Sequence, residues 1–166
     1  MEKLTEPRIR ASFVNCSKGE ASRLYIPRDL DERPFADLDF LGWRDPGAPD
    51  RCALVAERPD GALVGITLRF PPPQRGFLQR SLCSLCLTTH PRSGVSLLTA
   101  RRAGKAGREG NTVGLYMCTD LACPLYVRGL KQAEPGARFE ESLSQEEQVD
   151  RLNTKLHAFL DEVLKC

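Results

Sequence analysis

Cys83-Ser84-Leu85-Cys86 and, after 31 intervening residues, Cys118-Thr119-Asp120-Leu121-Ala122-Cys123 place four thiols in two close pairs. One tight turn aims both sulfurs of a pair at a common point, and two such pairs supply the four corners of the tetrahedron that Zn2+ prefers. The spacing predicts a single structural zinc site with Cys83, Cys86, Cys118 and Cys123 as its ligands. Two plainer readings compete with it. Reduced cysteines are common in protein cores, but burial alone does not call for two close pairs. A Cys83–Cys86 disulfide would strain a short loop in a chain with no secretory features. His90, four residues after Cys86, could replace a thiolate at the metal, although both cysteine pairs are complete without it.

Few other residues are equipped for catalysis. The chain has two histidines, His90 and His157. Neither sits in a nucleophile motif, and His157 falls among the polar positions of a helical stretch. No glycine-rich phosphate loop or paired catalytic carboxylate is present, and Ser17-Lys18-Gly19 is a weak match to an anion-binding turn. A catalytic zinc keeps one position open for water, whereas four cysteines close the sphere. The expectation is a binding module, not an enzyme.

At 166 residues, 41% hydrophobic and 28% charged, the chain suits one folded domain spanning residues 1–166. Met1 to Pro7 carries no apolar h-region, and no stretch reaches the roughly 18 to 20 apolar residues of a membrane span. With seven cysteines and no secretory context, the expected compartment is cytoplasmic, with Cys16, Cys52 and Cys166 as spare thiols. Net charge is +2, but residues 83–131 carry 7 basic and 2 acidic side chains while 132–166 carry 4 and 8.

Several elements must position the cysteines. Thr5 caps a short helix containing Pro7 and Ile9 and running toward Phe13 and Val14, and Ser17-Lys18-Gly19-Glu20 reads as a capping box for a second that ends near Leu24. The passage from Ile26 to Trp43 is irregular and punctuated by proline, with Trp43 anchoring it to the core. Ala53 to Glu57 and Ala62 to Phe70 flank a Pro-Asp-Gly turn, a strong hairpin signal. Pro71 to Gly76 is a loop, because consecutive prolines cannot join a sheet ladder. Gly94 to Ala100 and Thr112 to Met117 form a second hairpin, with Arg101 to Asn111 as its basic, glycine-punctuated tip. Asp120 caps a helix that contains Cys123 and Pro124, with Leu121, Leu125, Tyr126 and Leu130 on its apolar face. Ser144-Gln145-Glu146-Glu147 opens a terminal helix over 144–165 whose apolar face runs through Val149, Leu152, Leu156, Phe159, Leu160, Val163 and Leu164.

Knuckle, hairpin and helix, with the second thiol pair at the helix start, describe a treble clef over 83–131. The fold class is α+β: an antiparallel sheet with an embedded treble-clef zinc finger, short N-terminal helices and a C-terminal helix. Zinc is required because one hairpin and one short helix bury too little apolar surface to hold themselves. The basic tip beside Tyr116 suits either phosphates, as in a ribosome-associated RNA-binding zinc finger, or an acidic protein surface.

Phe40-Leu41-Gly42-Trp43, the hairpin to Phe70, Cys83-x2-Cys86, Val95-Ser96-Leu97, Arg101-Arg102 and Gly114-x-Tyr116-x-Cys118-x-Asp120-x2-Cys123 together resemble the FusB-type elongation factor G-binding proteins, from about Arg23 into the terminal helix. The resemblance implies a single FBP-like domain with a treble-clef zinc finger. It implies that this domain binds elongation factor G and modulates its interaction with the ribosome, with fusidic acid resistance as the outcome in that family. Tyr116 matches the family's contact tyrosine and Arg101 and Arg102 its basic pair. With Lys105 and Arg108 of the same tip, these are the expected partner-binding residues. The family places an aromatic before the first zinc cysteine and a lysine before Gly-x-Tyr-x-Cys; this chain has Leu82 and Val113. The family's N-terminal helical bundle has no counterpart beyond the two short helices before Leu24.

Overall fold

A computed structural model describes residues 1–71, 81–91 and 94–165. The expected loop at residues 72–76 and the spare thiol of Cys166 lie outside the described residues. The backbone is organised by a five-stranded antiparallel sheet in the order β1-β2-β3-β6-β7: β1 Phe40–Asp45, β2 Ala48–Glu57, β3 Leu63–Arg69, β6 Val95–Arg101 and β7 Thr112–Cys118. Two short strands, β4 Ser81–Leu82 and β5 Thr89–His90, pair separately around the first cysteine pair.

The β2–β3 hairpin forms as its turn residues demand. Arg58 and Ala62 close it, and Gly61 adopts φ +81°, a conformation that costs glycine nothing. β1 replaces part of the passage expected to be irregular. Phe40 faces one core while Leu41 and Trp43 face the other, so burial on both sides erases the polar alternation that marks a strand. Gly42 is needed there, because a Cβ would lie 2.6 Å from Leu121 Cβ.

One face of the sheet is covered by the N-terminal segment, with α1 Glu6–Ala11, α2 Lys18–Arg23 and two 3₁₀ turns delivering Leu4, Ile9, Phe35 and Leu38 against Leu41, Trp43, Ala53 and Val55. Thr5 takes the N-cap position of α1 without a capping bond, and the helix stops before Phe13. Ser17 and Glu20 form both arms of the capping box. At its other end Arg10 Nη1 donates to the carbonyls of Ala21, Ser22 and Leu24 at 2.9–3.0 Å, closing the helix C-terminus with a cation. Trp43 is buried, and its indole N–H donates to Tyr25 O at 2.7 Å.

The opposite face carries α5 Gln145–Leu164 and the metal segment. Leu152, Leu156, Phe159, Leu160 and Val163 are buried, and Ser144 with Glu147 completes the expected capping box. β3 and β6 share the single paired position Arg69↔Thr99. Nearby the Asn15 side chain bridges the two strands, its Nδ2 donating to Thr67 O at 2.9 Å and Arg101 O at 3.1 Å, so the separated backbones keep partners.

Candidate metal centre and the face beside it

The first thiol pair sits in a turn closed by Cys83 N to Thr88 O at 2.9 Å and Leu87 N to Cys83 O at 3.0 Å. In the second, Leu121 N reaches Cys118 O at 3.0 Å before α4, Cys123–Val127, begins. Leu87 and Leu121 have φ of +53° and +56°. Holding a leucine in the left-handed region costs roughly 1–2 kcal/mol, a cost a metal that draws the sulfurs together offsets.

All four sulfurs lie within 4.8 Å of one another, with Cys83–Cys123 at 3.7 Å and Cys86–Cys118 at 3.5 Å, and the four residues are 0–1% exposed. A tetrahedron with Zn–S of ~2.3 Å has edges of ~3.8 Å, so these thiols fit one Zn2+ with little movement. Hydrogen bonds from Cys118 and Cys123 hold the Cys83 thiol well below the ordinary range and lower that of Cys86. Cys123 is raised by its bonds to Cys118, Cys83 and Cys86 and by burial. A divalent cation binds all four as thiolates, so its binding displaces the protons the cluster holds. Cys16 and Cys52 take no part in this cluster; burial pushes the Cys52 thiol up to about 12.

His90 lies outside the four-sulfur cluster, with Nε2 3.4 Å from Cys118 Sγ and its ring edge-on to Tyr126 at 4.9 Å. Tyr126 Oη donates to Asp120 Oδ2 at 2.8 Å, and Lys131 Nζ donates to the same oxygen at 2.9 Å. Burial and then the Asp120 bond raise the Tyr126 hydroxyl, keeping it a donor. The N-cap position of α4 is Ala122, and Asp120 serves the helix start from two residues before it: Oδ1 accepts from Ala122 N at 3.1 Å while Oδ2 holds the ring that holds His90. The Tyr126–Asp120 bond has no signature at the level of residue spacing beyond an aspartate six residues before a tyrosine. The apolar face expected of this helix is shorter too: α4 is a single turn, Gly129 turns the chain at φ +69°, and Leu130 is exposed. His157 contacts Glu57 O at 3.2 Å and is only partly exposed.

The candidate partner-binding residues divide into two groups. Tyr116 is 51% exposed on β7, directly opposite Leu97 of β6 at 37%. Arg101 is exposed at the end of β6. Arg102 instead turns to α5, donating to Glu162 O at 2.7 Å and Glu162 Oε2 at 3.1 Å. The tip is not a plain loop: it contains α3, Gly104–Arg108, fastened by Ala103 N to Val163 O at 2.7 Å. Gly107 is pressed so closely on the Arg102 carbonyl that a Cβ would lie 1.8 Å from its oxygen. Lys105 and Arg108 remain exposed on this helical turn, Lys105 within 3.6 Å of Glu109.

A four-cysteine zinc site built from a knuckle, the β6–β7 hairpin and α4, against an antiparallel sheet, defines a treble-clef zinc protein. The chain belongs to the FBP C-terminal treble-clef zinc-finger family, which it matches over residues 8–163. Among solved structures, that of the fusidic acid resistance protein FusC is similar, with a TM-score of 0.49 and 20% identity over 64% of this chain. The similar region covers 46% of FusC, so this chain spans less than half of that protein. No curated protein matches.

Proposed function

We propose that this zinc-stabilised module binds elongation factor G through the face around Tyr116 and modulates the factor's interaction with the ribosome, with fusidic acid resistance as one outcome. The observation that carries this reading is Tyr116, half exposed beside Leu97, on a strand that the metal segment holds in place. Ser84 N donates to Tyr116 O at 2.8 Å, and Lys155 Nζ of α5 donates to Ser84 O at 3.0 Å. The family resemblance supplies the partner, and the position of Tyr116 supplies a stiff, exposed aromatic for it.

The same reading makes the protein a cytoplasmic binding module without catalysis, since four thiolates leave the metal no open position. No helix among the described residues is long and apolar enough to cross a membrane. A second reading, a ribosome-associated RNA-binding finger, draws on exposed Arg101, Lys105 and Arg108 and predicts steep salt dependence without the factor. Calorimetric titration of the purified chain with elongation factor G tests the first reading. Wild type binds, Tyr116→Ala weakens binding at least tenfold, and absence of wild-type binding on and off the ribosome refutes it.

A further inference from the structure

The strand register lays out a basic surface that continues away from Tyr116. Arg51, Arg69, Thr99 and Gly114 fall in one row across β2, β3, β6 and β7. The row on one side holds Leu97 and Tyr116; that on the other holds Ala53 and Thr67, then Arg101 and Thr112. Among the described residues, the N-terminal layer meets this face of the sheet at Phe13 against Gly65 and Asn15 against Thr67. Beyond it Arg51, Arg69, Arg101 and Tyr116 are all exposed, and Thr99 is half-buried. At the border, an open cavity of about 330 Å3 is lined by Arg23, Arg51, Arg69 and Thr67.

Charge makes this surface incomplete. Directly opposed like charges on neighbouring strands destabilise a sheet, yet Arg51 and Arg69 stand opposite each other. Arg69 has Asp50 at 3.1 Å, whereas Arg51 makes no ion pair among the described residues. The carboxylates that line the cavity are already engaged: Glu20 Oε2 accepts from Ser17 N at 2.8 Å, and Asp45 Oδ1 from Gly47 N at 2.8 Å. An arriving carboxylate would relieve the arginine pair, while Leu97 and Tyr116 two residues along the strands offer an apolar seat.

We infer that the binding face extends from Tyr116 across β6 and β3 to Arg51, and that its occupant is an acidic protein segment carrying an apolar side chain. This rests on the proposed function and names the chemistry of the segment that elongation factor G would present. A protein is favoured over nucleic acid because carboxylates interrupt the positive surface. Asp50 sits on Arg69, and Glu20, whose carboxyl is lowered first by its Ser17 hydrogen bonds and then by the charges of Arg101 and Arg23, lines the cavity with Arg51. Affinity for a phosphate backbone grows with the number of unpaired cations that meet it, which these carboxylates reduce; a mixed rim around an apolar centre is the anatomy of a protein interface.

The test compares wild type, Tyr116→Ala, Arg51→Ser and Arg51→Glu in titrations with purified elongation factor G at two ionic strengths, with melting curves for each. Arg51→Glu is expected to weaken binding at least tenfold and to flatten its salt dependence, with Arg51→Ser intermediate. The melting temperature of Arg51→Glu should hold or rise, because a carboxylate opposite Arg69 replaces a like-charge pair. Loss of binding with stability retained is the signature of a contact, as opposed to a structural role. Wild-type affinity in both Arg51 variants alongside a weakened Tyr116→Ala overturns this extension and leaves the proposed function standing. Absence of wild-type binding removes both. Arg51-dependent binding of a single-stranded RNA oligomer, tighter than that of the factor, overturns the acidic protein occupant.

Discussion

At His90 the chemistry of a zinc-bound sulfur fixes the direction of a hydrogen bond. Such a sulfur has lost its proton and can only accept, so the Nε2 that lies 3.4 Å from Cys118 Sγ must donate. The ring is held for this by Tyr126, and Tyr126 by Asp120. Groups that orient a ligand from outside the coordination sphere are worth about 10–100-fold in metal affinity. His90→Phe, which keeps an aromatic ring against Tyr126 but loses the donor, should therefore bind zinc about 10–100-fold more weakly in competition with a chromophoric chelator. The cobalt-substituted spectrum should remain that of four sulfurs. A spectrum that loses a nitrogen ligand would make His90 part of the coordination sphere, and an unchanged affinity would reduce it to packing.

Among the elements, α5 acts as the strap. From its middle Asn153 Nδ2 donates to Asp39 Oδ1 at 3.0 Å, and Arg128, just after α4, grips the same carboxylate with Nη1 at 2.6 Å and Nη2 at 3.1 Å. Asp39 is 7% exposed and Arg128 19%, so this pair joins the start of β1, α4 and α5 away from water. Removing one partner of a buried pair strands the other charge and costs about 3–5 kcal/mol. Arg128→Ala should lose about that much in chemical denaturation; a loss below ~1 kcal/mol, the range of an exposed pair, would show that water reaches Asp39. The β2–β3 hairpin is readable from its Pro-Asp-Gly turn although β2 is buried on both faces, and α5 is readable from the spacing of an apolar stripe beside one wet face. β1 and α3 are not, because β1 is buried on both faces and so lacks polar alternation, and α3 rests on Gly107 closing against the Arg102 carbonyl and on Ala103 N reaching Val163 O.

For the whole molecule, zinc is a fold determinant. The knuckles hold leucines in strained backbone, bury four thiols and carry the backbone contact that fixes Tyr116. Verified metal removal should abolish cooperative unfolding of residues 83–131 in a calorimetric scan and with it binding through Tyr116; Cys118→Ser should behave likewise. Because the ligands bind metal as thiolates, chelation should proceed at lower chelator concentration as pH falls from 8 toward 6. A melting curve unchanged after zinc loss, measured by metal analysis, would refute the structural role.

The order of residues alone determined the four thiols, the two capping boxes, the Pro-Asp-Gly hairpin and the apolar stripe of the terminal helix, because each rests on local spacing and backbone preference. Tertiary structure decided what those elements face. It gave Arg102 to Glu162 and left Arg101 and Tyr116 on the surface, although all three lie within sixteen residues of one another. It also set His90 beside Cys118 and aligned Arg51 with Arg69, Thr99 and Gly114 in one row. Such neighbours come from register and from layers closing over the sheet, and no period along the chain encodes them.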